Sequence, residues 1–374
     1  MLKRFSVTGF KNFENKTTID FSDVREYKFN TGCVTNGLLN TAIIYGKNAV
    51  GKSNFGLALY DIVSHLTMNN IVPESYEYYL NQHETESASF EYVFRFNDDE
   101  IVYRYKKTDS QDLFAEHLEL NSQVLLSTES FCGSSGPNLS RLEHIAPTLN
   151  WDNLEHLIGK SYLRFFLSNS AIEKSHPLIK MRDFINNMVL FRGQSESEFT
   201  GHGGRFMRTS PRYYDFIFDH VDEFNDLLRV AEISIQTREI EDPDGKTRLY
   251  FDTVTPMPFF KVASNGTKAL YNFFYWYKTA PDVSFMYIDE FDAFYHYELA
   301  ETIVGMLEKM SNFQKILTSH NTNLLSNRIM RPDCYFILTS DKLTSLANAT
   351  ERELREGHNL EKLYKAGFVK EVVL

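Results

Sequence analysis

The sequence predicts an α/β fold: a mixed central sheet with a phosphate-binding loop at one strand end, an antiparallel side sheet, and a helical insertion. Three observations carry that expectation. Gly46-Lys47-Asn48-Ala49-Val50-Gly51-Lys52-Ser53 lies between a short apolar run and an apolar-periodic segment. Two alternating runs meet at the polar turn Asn97-Asp98-Asp99-Glu100, and a further apolar run ends in Asp289-Glu290.

The glycine-rich stretch comes first because the rest of the chain is organised around it. Ala42 to Tyr45 reads as a strand and Asn54 onward as a helix, which is the context that the pattern G-x-x-x-x-G-K-[ST] requires. A chance glycine turn would have no reason to sit between these two elements. In such a loop the glycines let backbone N–H groups turn inward around phosphate oxygens, while the helix aims its positive dipole end at them. Lys52 adds a point charge, and the Ser53 hydroxyl is left to hold Mg²⁺. The expected nucleotide contacts are therefore Gly46, Asn48, Ala49, Val50, Gly51, Lys52, Ser53 and Asn54.

A chain of 374 residues that is 43% hydrophobic and 14% aromatic can bury a large core. Its formal net charge of −11 argues against a surface that coats nucleic acid generally, so any such role would need a local basic patch or a partner. Cys33, Cys132 and Cys334 lie far apart with no metal-ligand spacing, which suggests reduced thiols in a cytoplasmic protein. Met1 to Phe5 lacks the look of a signal peptide, and no run approaches the length of a membrane span, so no membrane role is expected.

Leu2 to Val7 and Thr17 to Phe21 alternate as half-buried strands do and form a hairpin, with Lys11 and Asn12 as turn residues. Phe55 to Leu66 is the first crossover helix. Phe90, Tyr92 and Phe94 alternate before the polar turn and Ile101, Tyr103 and Tyr105 after it, a β-hairpin that Leu113 to Leu126 extends in short strands. Cys132 to Pro137 is the linker candidate that ends this lobe, taken as residues 1–149.

Residues 150–230 are mainly helical in period, over Leu154 to Leu167, Pro177 to Leu190, and Tyr213 to Val230. Between the last two lies a glycine-rich loop in which Arg205, Arg208 and Arg212 interleave with aromatics. It suits a nucleic-acid backbone or the acidic face of a protein, although three arginines make a small footprint and a plain solvated loop is the commoner reading. Residues 231–374 open on a further hairpin, Glu232 to Ile240 and Arg248 to Thr253, and contain the second half of the site.

That half begins with Val283 to Ile288, a strand ending in two carboxylates. Asp289 suits the metal side of a phosphate site, and Glu290 would reach the attacking water as general base. On its own the pair could be an ordinary polar strand boundary. Likewise Ser264-Asn265-Gly266-Thr267 could be a plain helix cap, and His320, at the end of the strand Lys315 to Ser319, a structural histidine.

The order of phosphate loop, Ser-x-Gly helix start, Asp-Glu strand and strand-end histidine resembles the ABC-type ATPases of the SMC, RecF and OLD kind. Within them the chain looks most like the compact AAA-family ATPases of prokaryotic phage-defence and abortive-infection systems. Asp289-Glu290-Phe291-Asp292, His296, Ser319-His320-Asn321 and Glu361-Lys362-Leu363-Tyr364-Lys365-Ala366-Gly367 match motifs of that group, and the likeness runs from Leu2 to about Phe368. The resemblance implies a P-loop NTPase fold of the ABC-ATPase head type, with ATP and Mg²⁺ as ligands. It implies that Ser264, Asn265, Gly266 and Thr267 are a signature that closes on ATP held by a second subunit, that Glu290 is the hydrolytic base, and that His320 senses the γ-phosphate. The signature reads Ser-Asn-Gly rather than Ser-Gly-Gly, and Tyr297 stands where the group usually has proline. Gln82 is the candidate for the family's loop glutamine and Lys11 for a nucleotide contact.

The function so implied is an ATP-dependent homodimer that senses a signal and regulates a separate effector, a nuclease or toxin, in phage defence. The alternatives are a DNA-repair or chromosome-maintenance ATPase that binds DNA directly, through Arg205, Arg208 and Arg212, and a stand-alone nucleotide hydrolase.

Overall fold

The computed structural model describes residues 1–67, 76–83, 85–128, 137–151, 154–157, 159–192, 199–201, 211–279, 282–351 and 353–367. The first part of the chain forms strands β1 (Leu2–Thr8), β2 (Thr17–Asp20), β3 (Val34–Thr35), β4 (Leu38–Leu39) and β5 (Thr41–Tyr45), then helix α1 (Lys52–Leu66). Strands β6 (Ala88–Phe96), β7 (Asp99–Lys107), β8 (Leu113–Leu120) and β9 (Gln123–Ser127) follow. The middle contains α2 (Ser140–Ile145), α3 (Tyr162–Asn169), α4 (Pro177–Asn186), β10 (Met188–Arg192), β11 (Phe199–Gly201), α5 (Pro211–Asp215) and α6 (Val221–Val230). Next come β12 (Thr237–Glu241), β13 (Thr247–Phe251), β14 (Met257–Pro258), α7 (Phe259–Val262), α8 (Asn265–Thr279) and β15 (Phe285–Asp289). The remainder is α9 (Tyr297–Glu308), β16 (Gln314–Ser319), β17 (Tyr335–Leu338), β18 (Leu343–Ser345) and α10 (Leu360–Lys365).

The expected α/β architecture is present. The central sheet has the order β11-β10-β15-β16-β5-β17-β18, with the inner five strands parallel and the two outer ones antiparallel. Every residue of β5, β15 and β16 is buried, as expected of continuous apolar runs covered on both faces. Because β16 lies between β5 and β15, the ends of these three strands open on one edge: Ser319 pairs with Tyr45, and Leu317 with Ile288.

A second sheet, β2-β1-β6-β7-β8-β9, is antiparallel throughout. The N-terminal hairpin is thus part of the side sheet, paired through β1 to β6. Phe90, Tyr92, Phe94, Ile101, Tyr103 and Tyr105 all point inward and are fully buried, as their alternation predicts.

The middle segment departs from its helical reading in three places, one of them a 3₁₀ turn (Phe216–Asp219) that breaks Tyr213 to Val230 between α5 and α6. Leu154 to Leu167 is a 3₁₀ turn (Leu154–Leu157) followed by α3, and the run from Pro177 ends as a helix at Asn186. Met188-Val189-Leu190-Phe191 instead forms most of β10, hydrogen-bonded in parallel register to β15. A short continuous apolar run fits a buried helix turn and a buried strand equally well, and the open side of β15 decided between them. The Cys132 to Pro137 linker lies outside the described residues except for Pro137.

Helix α1 fills the space between the two sheets and is buried on nearly all sides. Toward the central sheet, the Tyr60 hydroxyl donates to the Val189 carbonyl, and Gly56 lies so close to Tyr287 that a Cβ there would come within 2.7 Å of the ring. Toward the side sheet, Phe55 packs edge-on against Phe5 at 5.5 Å, and Tyr92 Oη donates to Ala58 O at 3.0 Å. Asp61 on α1 is fully buried and accepts from Tyr79, Tyr105 and Lys107 at 2.7, 2.8 and 2.8 Å. Such a set satisfies a charge that would be prohibitive alone in the interior. At the far end of the sheets, Gln314 of β16 binds both backbone groups of Leu2, accepting at 2.6 Å and donating at 2.8 Å, and so ties the central sheet to β1.

Among the described residues, no helix is long and apolar enough to cross a membrane.

Candidate nucleotide site at the ends of three parallel strands

The loop from Gly46 to Gly51 leaves β5 and turns into α1, whose first residue is Lys52. Its conformation explains its composition. Gly51 has φ 103°, in the left-handed region that glycine enters without strain, and a Cβ there would lie 2.2 Å from Asn12 Nδ2. At Gly46 a Cβ would meet the Leu338 carbonyl at 2.8 Å. Ala49 adopts φ 64°, an uncommon state for a residue with a side chain, of the kind found where a loop is held for a ligand. Asn48 and Ala49 are exposed on the loop crest, Val50 is half-buried, and Ser53 and Asn54 occupy the first turn of α1.

Asn12 holds the loop from the side sheet. Its Nδ2 donates to Val50 O at 2.9 Å, and its Oδ1 accepts from Asn54 Nδ2 at 2.8 Å. Sequence alone makes Asn12 a turn residue; the signal for more is that a short amide in a turn can serve backbone and side chain together.

Lys52 is buried, and its ammonium donates to Gly46 O at 2.9 Å, to Lys47 O at 3.1 Å and to His320 Nδ1 at 3.3 Å. Burial holds its pKa below the ordinary lysine range, while the charges of Asp289, Glu290 and Asp292 oppose that fall. The other ring nitrogen of His320, Nε2, faces Glu290 Oε1 at 3.6 Å. A connected line of groups therefore runs from Lys52 through His320 to Glu290.

Thr318 organises the carboxylate end. Its hydroxyl donates to Asp289 Oδ1 at 2.6 Å and accepts from the Glu290 backbone N–H at 2.7 Å. Glu290 has φ 49°, another non-glycine residue in the left-handed region, at the point where the chain leaves β15. Next to it, Ser319 Oγ donates to Asp292 Oδ2 at 2.6 Å, and burial pushes the Asp292 carboxyl above its ordinary range. Thr318 was not singled out from the sequence, and Asp292 only as the last residue of the Asp289 to Asp292 motif; two hydroxyls before a strand-end histidine are the local hint for Thr318.

Ser264 to Thr267 begin α8, as the sequence predicts. Ser264 Oγ accepts from Thr267 N at 3.1 Å, a helix cap, while Ser264 and Asn265 are exposed. Gly266 stands against the chain beyond β15, where a Cβ would meet Phe294 O at 3.0 Å. Beside the phosphate loop lies a cavity of about 570 Å³, lined in part by Lys11, Asn12, Asn54, Tyr78, Gln82 and Asp341. Lys11 Nζ donates there to Glu77 O at 2.7 Å. Arg205 and Arg208 lie outside the described residues, as does the side chain of Arg212.

The family model described as "AAA domain, putative AbiEii toxin, Type IV TA system" matches residues 42–326, from β5 to just beyond His320. The chain belongs to this AAA-domain family. Its mixed central sheet and antiparallel side sheet are the α/β architecture expected from the sequence. It is similar to an SmcHead solved with the C-winged helix domain of ScpA, at 15% identity and TM-score 0.47, covering 92% of this chain and 97% of that one. It is similar also to the SMC head domain from Thermotoga maritima, at 17% identity and TM-score 0.42, with 92% and 98% covered. A third is the Smc head domain with an extended coiled coil bound to the C-terminal domain of ScpA derived from Pyrococcus furiosus, at 13% identity and TM-score 0.46, with 98% of each chain covered. No curated protein matches the chain.

The donors present in the AAA domain suit Mg²⁺. Among the described residues no group of three or more His, Cys, Asp or Glu forms a preassembled cage. Mg²⁺ does not need one, since it keeps water and phosphate oxygens and takes only one or two protein oxygens. The buried Asp289 carboxylate, held at one oxygen by Thr318, and the Ser53 hydroxyl are donors of that class. Thr318→Val keeps the shape and removes the hydroxyl. Loss of such an orienting partner is expected to cost about 10–100-fold in metal affinity or activity, read as phosphate release over a Mg²⁺ titration. An unchanged Mg²⁺ requirement would remove Thr318 from the positioning role.

Proposed function

We propose that this chain is a Mg²⁺-dependent ATPase that closes as a homodimer around ATP and regulates a separate effector, a nuclease or toxin, in defence against phage. The single observation that carries the reading is the line from Lys52 through His320 to Glu290, which joins the phosphate loop to the strand that ends in acids.

In this reading the N–H groups of Gly46, Asn48, Ala49, Val50, Gly51 and Lys52, with the side chains of Ser53 and Asn54, cradle the phosphates. Lys52, which donates to the Gly46 and Lys47 carbonyls, turns to the β- and γ-phosphates. Ser53 and Asp289 would hold Mg²⁺, which when bound offsets the negative charge of the phosphates. Glu290 takes the proton of the attacking water, and His320, beside that base, would sense the γ-phosphate. The cavity lined by Asn12, Asn54, Tyr78 and Gln82 has the volume of a small-molecule pocket and adjoins the loop on the side where the nucleoside would extend.

Ser264, Asn265, Gly266 and Thr267 contribute to a second copy's ATP. Ser264 and Asn265 are exposed at a helix N-terminus, which suits donors offered outward to an anion. ATP that binds only the closed dimer shifts the population toward it, and hydrolysis releases it. Residues 1–149 and 231–374 then act as the two lobes of the ATPase, and 150–230 as an insertion that also supplies β10 to the central sheet. Regulation of a separate effector rests on analogy with the family to which the chain belongs.

The test is complementation between two inactive subunits. Lys52→Ala and Ser264→Arg chains should each fail to release phosphate, and an equal mixture should recover about a quarter of wild-type turnover, one good site in each mixed dimer. Confirmed mixed dimers without recovery would overturn the shared site.

A further inference from the structure

Cys33 and Cys334 are 301 residues apart in the chain, yet their sulfurs meet at 2.9 Å in the interior, both side chains fully buried. Both are free thiols, as the sequence suggests, and the strand order closes the distance between them. Cys33 ends a 3₁₀ turn whose carbonyls are held by Asn40: Asn40 N donates to Cys33 O and Asn40 Nδ2 to Gly32 O, both at 2.8 Å. Cys334 ends a second 3₁₀ turn, held by a Cys334 N to Arg331 O bond at 3.0 Å, and leads directly into β17, the neighbour of β5. Neither turn is a loose loop, so the two thiols face one another in a fixed setting.

Charges of both signs surround the pair, the Asp333 carboxylate lying 4.0 Å from the Cys334 sulfur. Lys315, whose amine burial brings down to about 7, and Arg331 both lie close enough to Cys33 to interact with its charge. Arg331 is itself oriented by Asp333, donating at 2.8 and 2.6 Å. The Cys33 thiol donates to Asn30 O at 3.0 Å. Cys334 is different: burial and the neighbouring Cys33 sulfur push its thiol up. The raised Cys334 thiol suits the resolving role, which leaves Cys33 as the attacker.

We propose that Cys33 and Cys334 are a redox modification site, closing to an intramolecular disulfide when the chain meets hydrogen peroxide. The Cys33 thiolate attacks a peroxide oxygen, the O–O bond breaks, and Cys33 becomes a sulfenic acid while the other oxygen leaves as water after taking a proton. The Cys334 sulfur then attacks Cys33 Sγ, the S–S bond forms, the S–O bond breaks, and a second water leaves with the Cys334 proton. The two sulfurs together give two electrons to the peroxide, and the products are one disulfide and two waters. From 2.9 Å the sulfurs need to approach by only about 0.9 Å to reach disulfide length. The bond staples the turn before β3 to the start of β17, and by closing so long a loop it restricts the unfolded chain.

Hydrogen peroxide is the probe, applied to the full chain carrying Cys132→Ser so that no third thiol competes. The expected result is loss of both remaining titratable thiols, a mass lower by two hydrogens, and a non-reduced peptide that joins Cys33 to Cys334. The thermal midpoint should rise, and dithiothreitol should reverse all four changes. Recovery of Cys33 and Cys334 as thiols, as separate sulfinic or sulfonic acids, or in bonds between chains would overturn the proposal. Peptide mapping needs no substitution in the core. As a second arm, Cys334→Ala should leave Cys33 as a trapped sulfenic acid under the same treatment, and its absence there would overturn the assignment of Cys33 as attacker.

Discussion

Lys52→Ala is expected to abolish ATP binding. The ammonium sits in the concavity of the loop, near enough to the Gly46 and Lys47 carbonyls to donate to both, with three carboxylates of the neighbouring strand end acting on it. Alanine removes the one buried cation that would meet the β- and γ-phosphates. Hydrogen bonds to charged groups contribute ~1.5–3 kcal/mol each, so losing two of them weakens binding by roughly 10²–10⁴-fold. Direct titration with ATP by calorimetry measures this, alongside a thermal melt to show that the variant is folded. Affinity equal to wild type in a folded variant would refute the phosphate-loop assignment.

Glu290→Gln is expected to separate binding from chemistry. The amide keeps the size of the side chain and the backbone donation to Thr318, but it cannot accept a proton from water. Removing a positioned general base costs ~10²–10⁴ in rate, so phosphate release in a single turnover should fall by that factor while ATP affinity changes little. The ATP-bound dimer should then accumulate on size-exclusion chromatography. Unchanged turnover would take Glu290 out of that role.

How much of the site could be read from the chain depends on how local each part is. The phosphate loop was legible because its glycines, lysine and serine are contiguous and its flanking strand and helix have simple patterns. Asp289 and Glu290 were legible as the end of an apolar strand. Thr318 and Asn12 were not, because each acts on residues distant in sequence: Thr318 on a carboxylate 29 residues away, and Asn12 on a carbonyl 38 residues away. No periodicity records such a pairing. β10 was missed for a different reason, since Met188 to Phe191 is apolar throughout and carries neither a helical nor an alternating signature. The meeting of Cys33 with Cys334 depends on β17 docking beside β5, which is a property of topology alone.

The order of the central sheet has a consequence for the order of synthesis. β5, which carries the phosphate loop, is made early, but its two neighbours are β16 at Gln314–Ser319 and β17 at Tyr335–Leu338. A growing chain therefore presents the loop long before any strand exists on which β5 can be laid. During that interval β5 is an unpaired apolar segment, the kind of element that aggregates or recruits chaperones. Its central-sheet setting is complete only once β16 and β17 have been made, so the sheet cannot close around the loop in chain order.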